Sequence, residues 1–307
     1  MKTLKYMILG DTHFRLNAPI GRKDNFRETV LRKWQFIIDT AIQNDIQTIL
    51  QPGDLFDSPN LSLSTIEFSR ILMQLQEHSI DLITIPGQHD MMMRSKNIQN
   101  TQMGFFYTMR LLNIAGQKPI HKFASIYGNH FGNNYEFEDE FILNKNDDYR
   151  ILLTHDMIGD KPLFPGHELK DTEQFLEEHS EFDLIICGDY HYPYHYSIND
   201  RHIVNCGCLV RLSRDERDIN RHPYILIAEF YNKVEFTKID IPIELPELVF
   251  NPIDEKDDFE HYDLDLFIEK LKRKEKIGIG FLDNLLAFYK EHDVSNEIKT
   301  LIEEVLQ

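Results

Sequence analysis

The 307 residues can hold one large domain with an appendage or two modest ones, and their 42% hydrophobic and 11% aromatic content excludes a disordered chain. No apolar run is long enough to cross a membrane. Three cysteines without framework spacing (Cys187, Cys206 and Cys208) argue for a reducing, cytoplasmic setting. The formal charge of −18 counts against strong independent binding to nucleic acid. Between Glu244 and Gln307 lie 17 acidic and 8 basic residues, so the last fifth of the chain carries half of that excess.

Taken in order, the chain first alternates short apolar runs with helical patterns. Leu4–Leu9 is too short for a signal peptide and runs straight into Asp11, so it reads as a buried first strand. Phe26, Val30, Trp34, Ile37, Ile38 and Ala41 then share one helical face. Thr48–Gln51 is a second strand, and Ile66, Leu72 and Leu75 form the stripe of a second helix. Further strands are expected at Leu82–Ile85, Arg150–Thr154 and Asp183–Cys187. Runs that are apolar throughout imply burial on both faces. Beyond Arg201 the runs follow one another without helices: His202–Asn205, Tyr224–Phe230 and Val234–Ile239, the last two joined by a turn at Tyr231-Asn232-Lys233. Such a chain predicts two packed sheets flanked by helices. Residues 241–263 are rich in proline and acid and read as a strap or linker, and 264–307 return to helical periodicity.

Five clusters able to hold a metal follow the predicted strands, where open α/β sheets place their ligand sites. Asp11 and His13 form the first; alone, the triplet is ordinary turn chemistry. In Gly53-Asp54-Leu55-Phe56-Asp57 the glycine lets the backbone turn tightly, and the Asp54 carboxylate could bridge two cations roughly 3.5–4 Å apart. A surface turn capped by aspartate is the plain alternative. In Gly87-Gln88-His89-Asp90, the Gln88 amide oxygen suits a hard cation, His89 can give a proton or hydrogen bond to a phosphate oxygen, and Asp90 is expected to orient the His89 ring. His155 is the fourth, although Asp156 beside it would equally suit a capped turn. In Gly188-Asp189-Tyr190-His191, Asp189 and His191 reach one pocket if the turn twists, which glycine permits. Together, carboxylate, amide and imidazole donors point to two divalent ions, Mn²⁺ first and Mg²⁺ as the alternative. Two such ions can activate water and clamp both oxygens of a phosphate ester in displacement.

In this order the five clusters resemble the signature of calcineurin-like metallophosphoesterases, over roughly Met1 to Asp240. Three further segments resemble SbcD-like DNA nucleases: Arg22-Lys23-Asp24-Asn25-Phe26, Gly53 to Ser58, and Asn205-Cys206-Gly207-Cys208 through Arg211. Helix capping and turn chemistry would account for each alone. The resemblance implies an α/β fold, a four-layer α-β-β-α sandwich, with residues 1–240 as the nuclease domain. It implies that Asp11, His13, Asp54 and His191 hold one ion, that Asp54, Gln88, His155 and Asp189 hold the other, and that His89 assists transfer. Gln88 stands where asparagine is usual and Asp189 where histidine is usual; both keep an oxygen donor. The implied activity is metal-dependent hydrolysis of DNA as an exonuclease, with endonuclease activity compatible, in recombination or repair. Implied partners are DNA and an SMC-like ATPase of the SbcC type that grips residues 264–307; a homodimer is compatible. The short chain fits a compact version, as in virus-encoded relatives. The rivals are a phosphodiesterase or phosphatase acting on a small ester, and a non-catalytic subunit with a decayed site.

Overall fold

The computed structural model describes residues 4–95, 97–135, 137, 149–162, 169–214 and 216–251. They form nearly all of one compact unit, Met1–Asp160 with Leu169–Asn251. A second unit, Lys161–Glu168 with Pro252–Gln307, falls almost wholly outside the described residues, and residues 264–307, where a helical docking segment is expected from the sequence, lie outside them too.

In chain order the strands are β1 (Leu4–Ile8), β2 (Thr48–Gln51), β3 (Asp81–Thr84), β4 (Asn113–Ile114), β5 (Ile120–His121), β6 (Ser125–Asn129), β7 (Arg150–Thr154), β8 (Ile158–Gly159), β9 (Lys170–Asp171), β10 (Leu184–Cys187), β11 (Tyr194–Ile198), β12 (Arg201–Asn205), β13 (Tyr224–Phe230) and β14 (Val234–Asp240). The described helices are few: α1 (Phe26–Gln43), α2 (Leu63–Glu77), α3 (Gln102–Thr108), α4 (Thr172–Glu178), and the short α5 (Glu216–Asn220) and α6 (Pro246–Val249). One six-stranded sheet has the order β14-β13-β1-β2-β3-β4 and the other β11-β12-β10-β7-β6-β5. Within each, four neighbouring strands are parallel (β1 to β4; β12, β10, β7 and β6), with antiparallel strands outside them.

Alternation along single strands shows why both faces are apolar. On β1 and just after it, Met7 and Leu9 join the core formed with α1, α2 and α3, whereas Tyr6 and Ile8 join the core between the sheets. On the second sheet, Ile151, Leu153, Leu184 and Ile186 face that same inner core, while Leu152 and Ile185 pack outward with Phe175 and Leu176 of α4. Helices, sheet, sheet and helix thus form the four layers. Each fully buried side chain of this kind contributes roughly 1.5–3 kcal/mol.

Helix α1 starts at Asn25, whose side chain accepts from Glu28 N, and α2 starts at a capping box of Ser62 and Thr65. The stripe expected on α2 needs correction. Ile66 is 55% exposed, and the buried face runs through Thr65, Phe68, Ile71, Leu72 and Leu75. Phe68 sets this rotation, because its ring meets Phe14, Trp34 and Phe56 at 4.8–5.1 Å between centroids. The start of the expected strap is packed on the body. Ile241, Val249 and Phe250 are buried, and Lys23 N donates to Val249 O at 2.8 Å.

Candidate metal centre

Parallel strands bring the carboxyl ends of β1, β2, β3, β7 and β10 to one edge of the sandwich, and the five clusters lie just past those ends. Apolar anchors fix the loops. Phe14 and Phe56, which follow the His13 and Asp54 turns, are buried and joined by a bridge, and Thr12 N and His13 N both donate to Asp54 O, at 3.1 and 3.0 Å. His13, Asp54 and Asp189 take left-handed backbone conformations (φ 41°, 50° and 71°), which cost energy away from glycine and recur at functional sites. Gly53, at φ +100°, must be glycine for a second reason: a Cβ there would stand 2.6 Å from His155 Nδ1.

Asp11, His13, Asp54 and His155 are buried, with His191 less deeply set. His155 Nε2 lies 3.3 Å from Asp54 Oδ2, His13 Nε2 3.8 Å from the same oxygen, and His191 Nε2 3.5 Å from Asp11 Oδ2. His13 and His191 bring their Nε2 atoms within 3.0 Å of each other. In the triads Asp11, His13, His191 and Asp11, Asp54, His155, the ligand atoms all lie within 4.8 Å of one another.

The donor set fits a pair of cations. Asp11 Oδ1, His13 Nδ1, Asp54 Oδ2 and His155 Nε2 are buried with no hydrogen-bond partner among the described residues. Buried polar groups are otherwise almost always satisfied, and four orphans in one small volume are what a metal resolves. His155 Nδ1 is engaged by Pro52 O at 2.8 Å, which leaves Nε2 facing the carboxylates, as metal-ligating imidazoles are commonly held. Burial raises Asp11 well above the usual carboxylate range and pulls His13 down to about 3, which keeps that imidazole neutral. Burial opposes the charges on Asp54 and His155 as well, but their mutual attraction outweighs it. Asp54 is held below its ordinary value and His155 above.

The structure therefore brings Asp11, His13, Asp54, His155 and His191 together. Gln88 and Asp189 stand at the partly exposed rim, bonded to each other, with Gln88 Nε2 donating to Asp189 Oδ1 at 3.2 Å. Asp189 N in turn donates to Asp11 Oδ2 at 2.9 Å. His89 is also at the rim. Its backbone N donates to Asp54 Oδ1 at 2.8 Å, and its ring meets that of His13 edge-on at 4.9 Å.

Asp90 does not do what was expected of it. Its carboxylate accepts from the backbone N–H groups of Leu55 (3.2 Å), Phe56 (2.9 Å) and Gly87 (3.0 Å), so it ties the Asp54 loop to the His89 loop. Burial, with Asp54 nearby, lifts it to about 7. The His89 ring is oriented instead by the Asp57 carbonyl, 3.0 Å from Nδ1. Asp57 and its partner Arg15 (Nη1 to Oδ2, 2.8 Å) are site residues that sequence reasoning passed over. The signal was the second aspartate of Gly53-Asp54-Leu55-Phe56-Asp57, three residues beyond Asp54. Cys206 and Cys208 are buried, free packing residues.

A calcineurin-like phosphoesterase family model matches residues 4–193. The chain is 24% identical over 218 residues to the DNA double-strand break repair protein Mre11 of Halobacterium salinarum, covering 68% of this chain and 52% of that protein. To the protein of the same name from Haloferax volcanii it is 25% identical over 255 residues, covering 79% and 52%. It thus spans about half the length of these curated relatives. A solved archaeal phosphodiesterase overlaps with a TM-score of 0.42 at 13% identity, covering 77% of this chain and 99% of that one.

Proposed function

This chain belongs to the calcineurin-like phosphoesterase family, a metal-dependent phosphoesterase by that membership, and we propose that it is a two-metal nuclease that hydrolyses phosphodiester bonds in DNA. The observation that carries the two-metal reading is the position of Asp54. Its carboxylate stands between the imidazoles of His13 and His155, where one residue can serve both ions. DNA as substrate is supported by the relatives named for double-strand break repair.

Asp11, His13, His191 and Asp54 would hold one ion, and Asp54, His155, Asp189 and Gln88 the other. Two bound cations supply Lewis acidity to the phosphate oxygens and the charge that draws a proton from water. The chain's own residues do the rest. Asp90 fixes the Asp54 loop, and the His89 backbone N–H holds Asp54 Oδ1 in place. A carbonyl can only accept, so the Asp57 carbonyl assigns the His89 proton to Nδ1 and leaves Nε2 as the atom that takes up or releases a proton at the departing oxygen. Because the chain is acidic, a partner that supplies basic surface fits this role, and an SMC-like ATPase is the partner we propose.

End-labelled duplex and single-stranded DNA, incubated with Mn²⁺, Mg²⁺ or chelator, test the reading. Cutting with Mn²⁺ and silence in chelator are expected. Robust cutting in chelator would sink the two-metal mechanism. Turnover of a small phosphodiester with intact DNA would move the assignment to the small-ester rival.

A further inference from the structure

The segment from Asn205 to Val210 carries no candidate ligand, yet it is stitched to two of them. Asp11 N donates to Gly207 O at 3.1 Å, Leu209 N donates to Asp11 O at 2.7 Å, and Cys208 N donates to His191 O at 3.1 Å. Three consecutive residues thus set the backbones of Asp11 and His191, which share one triad. The fit is close: Gly207 is at φ +68°, and a Cβ there would come within 2.6 Å of the His191 carbonyl oxygen.

What holds this segment is a buried guanidinium. Arg221 Nη1 donates to Cys208 O, and Nη2 donates to Val210 O at 2.7 Å. Nε and Nη2 also donate to Asp218 Oδ1 at 2.9 and 2.6 Å. The other Asp218 oxygen accepts from Leu212 N at 2.6 Å and Ser213 N at 2.8 Å, which closes the turn between the segment and α5. Both side chains are almost wholly buried. Only a planar fork of donors reaches two carbonyls and a carboxylate at once; an ammonium is a point charge. Arg221 also takes two carbonyls that have no backbone donor among the described residues.

We infer that Arg221, held by Asp218, is a positioning residue for one metal subsite, the one built from Asp11, His13 and His191, through the backbone of residues 207–210. The inference rests on the two-metal reading above. Asp11 is shared with the triad of Asp54 and His155, whereas His191 is not. His155 and the Asp54 loop receive no hydrogen bond from residues 207–210 among the described contacts, so the clamp bears more on the first subsite than on the second.

The test is a Zn²⁺ titration of the full chain followed by imidazole NMR of His13, His191 and His155. In Arg221→Lys, the His13 and His191 signals should need about 10-fold or more higher Zn²⁺ to shift, the cost typical of removing an outer-shell support, while the His155 midpoint, reached only through the shared Asp11, moves by a clearly smaller factor. Asp218→Asn should move the same signals by a smaller factor, and it decides the matter if Arg221→Lys does not fold. Leu176→Ala, in the core outside the second sheet, lowers stability without touching the segment and should shift the three histidines alike or not at all. Equal weakening of all three histidines in a folded clamp variant, or none, overturns the inference and leaves the two-metal reading standing. Wild-type protein whose histidines ignore Zn²⁺ overturns both.

Discussion

Replacing Asp90 separates two roles that the sequence alone runs together. If Asp90 fastens the Asp54 loop, Asp90→Ala orphans three buried backbone donors, Leu55 N, Phe56 N and Gly87 N. Each unmet buried donor costs ~1–3 kcal/mol, and water entering the vacated space offsets part of that, so a net loss of about 3 kcal/mol is expected. Asp90→Asn keeps one acceptor oxygen. With that oxygen toward Leu55 and Gly87, only Phe56 N is stranded, and the loss should be about 1–3 kcal/mol. The pH dependence has a definite sign. The folded value of about 7 lies above the ordinary 3.8, so between these the folded state binds more protons than the unfolded one. The contribution of Asp90 to stability is therefore full below 3.8 and declines as pH rises to about 7, and wild type should lose stability relative to Asp90→Asn over that range. Urea unfolding of the metal-free proteins at several pH values reads both quantities, and metal titration of the same samples shows whether the Asp54 loop still holds its ions. An Asp90→Ala protein with an unchanged urea midpoint, both ions bound and a kcat lowered by about 100-fold would refute this reasoning and return Asp90 to orienting His89.

His89→Ala should keep both ions yet lose on the order of 10²-fold in kcat, whereas Asp54→Ala should lose metal pairing; calorimetric titration beside single-turnover rates checks both, and loss of ions in the His89 variant would show it to be a ligand. Gln88→Asn combined with Asp189→His replaces the bonded rim pair with one more imidazole, which should shift preference from Mn²⁺ toward Zn²⁺ in a competition assay read by metal analysis. A folded double variant with wild-type metal preference would mean that the rim pair does not reach the second ion.

Much of the fold was legible because its central strands are buried on both faces. Thr48–Gln51, Arg150–Thr154 and Leu184–Cys187 leave little solvent-facing alternation to mislead. What escaped was short or mixed. Tyr194–Ile198 is an edge strand with alternating exposure, Ser125–Asn129 is central but contains a glycine and two polar residues, and α3 and α4 span seven residues each, too few for periodicity to speak. Ile66 shows a different limit. A stripe can be read along a helix, but its rotation is chosen by the partner surface, here the aromatic cluster around Phe68.

The candidate ligands were legible for a local reason, since each sits in a glycine-, proline- or aspartate-marked turn at a strand end. Their supports were not, because support is a relation between turns far apart in the chain. Asp90 serves a loop 34 or 35 residues away, Asp57 O holds a ring 32 residues on, and Asn205, at the end of β12, donates from Nδ2 to Tyr190 O at 2.6 Å. Nothing in the residue type separates an aspartate that binds metal from one that binds backbone N–H groups. Burial does not separate them either, since Asp54 and Asp90 are both fully buried. What separates them is satisfaction: Asp90 has both oxygens engaged by the backbone, while Asp54 Oδ2 has no hydrogen-bond partner among the described residues. By that criterion Asp11, His13 and His155 belong with Asp54. Gln88 and Asp189, which engage each other, define the part of the site where a metal must compete with an existing hydrogen bond.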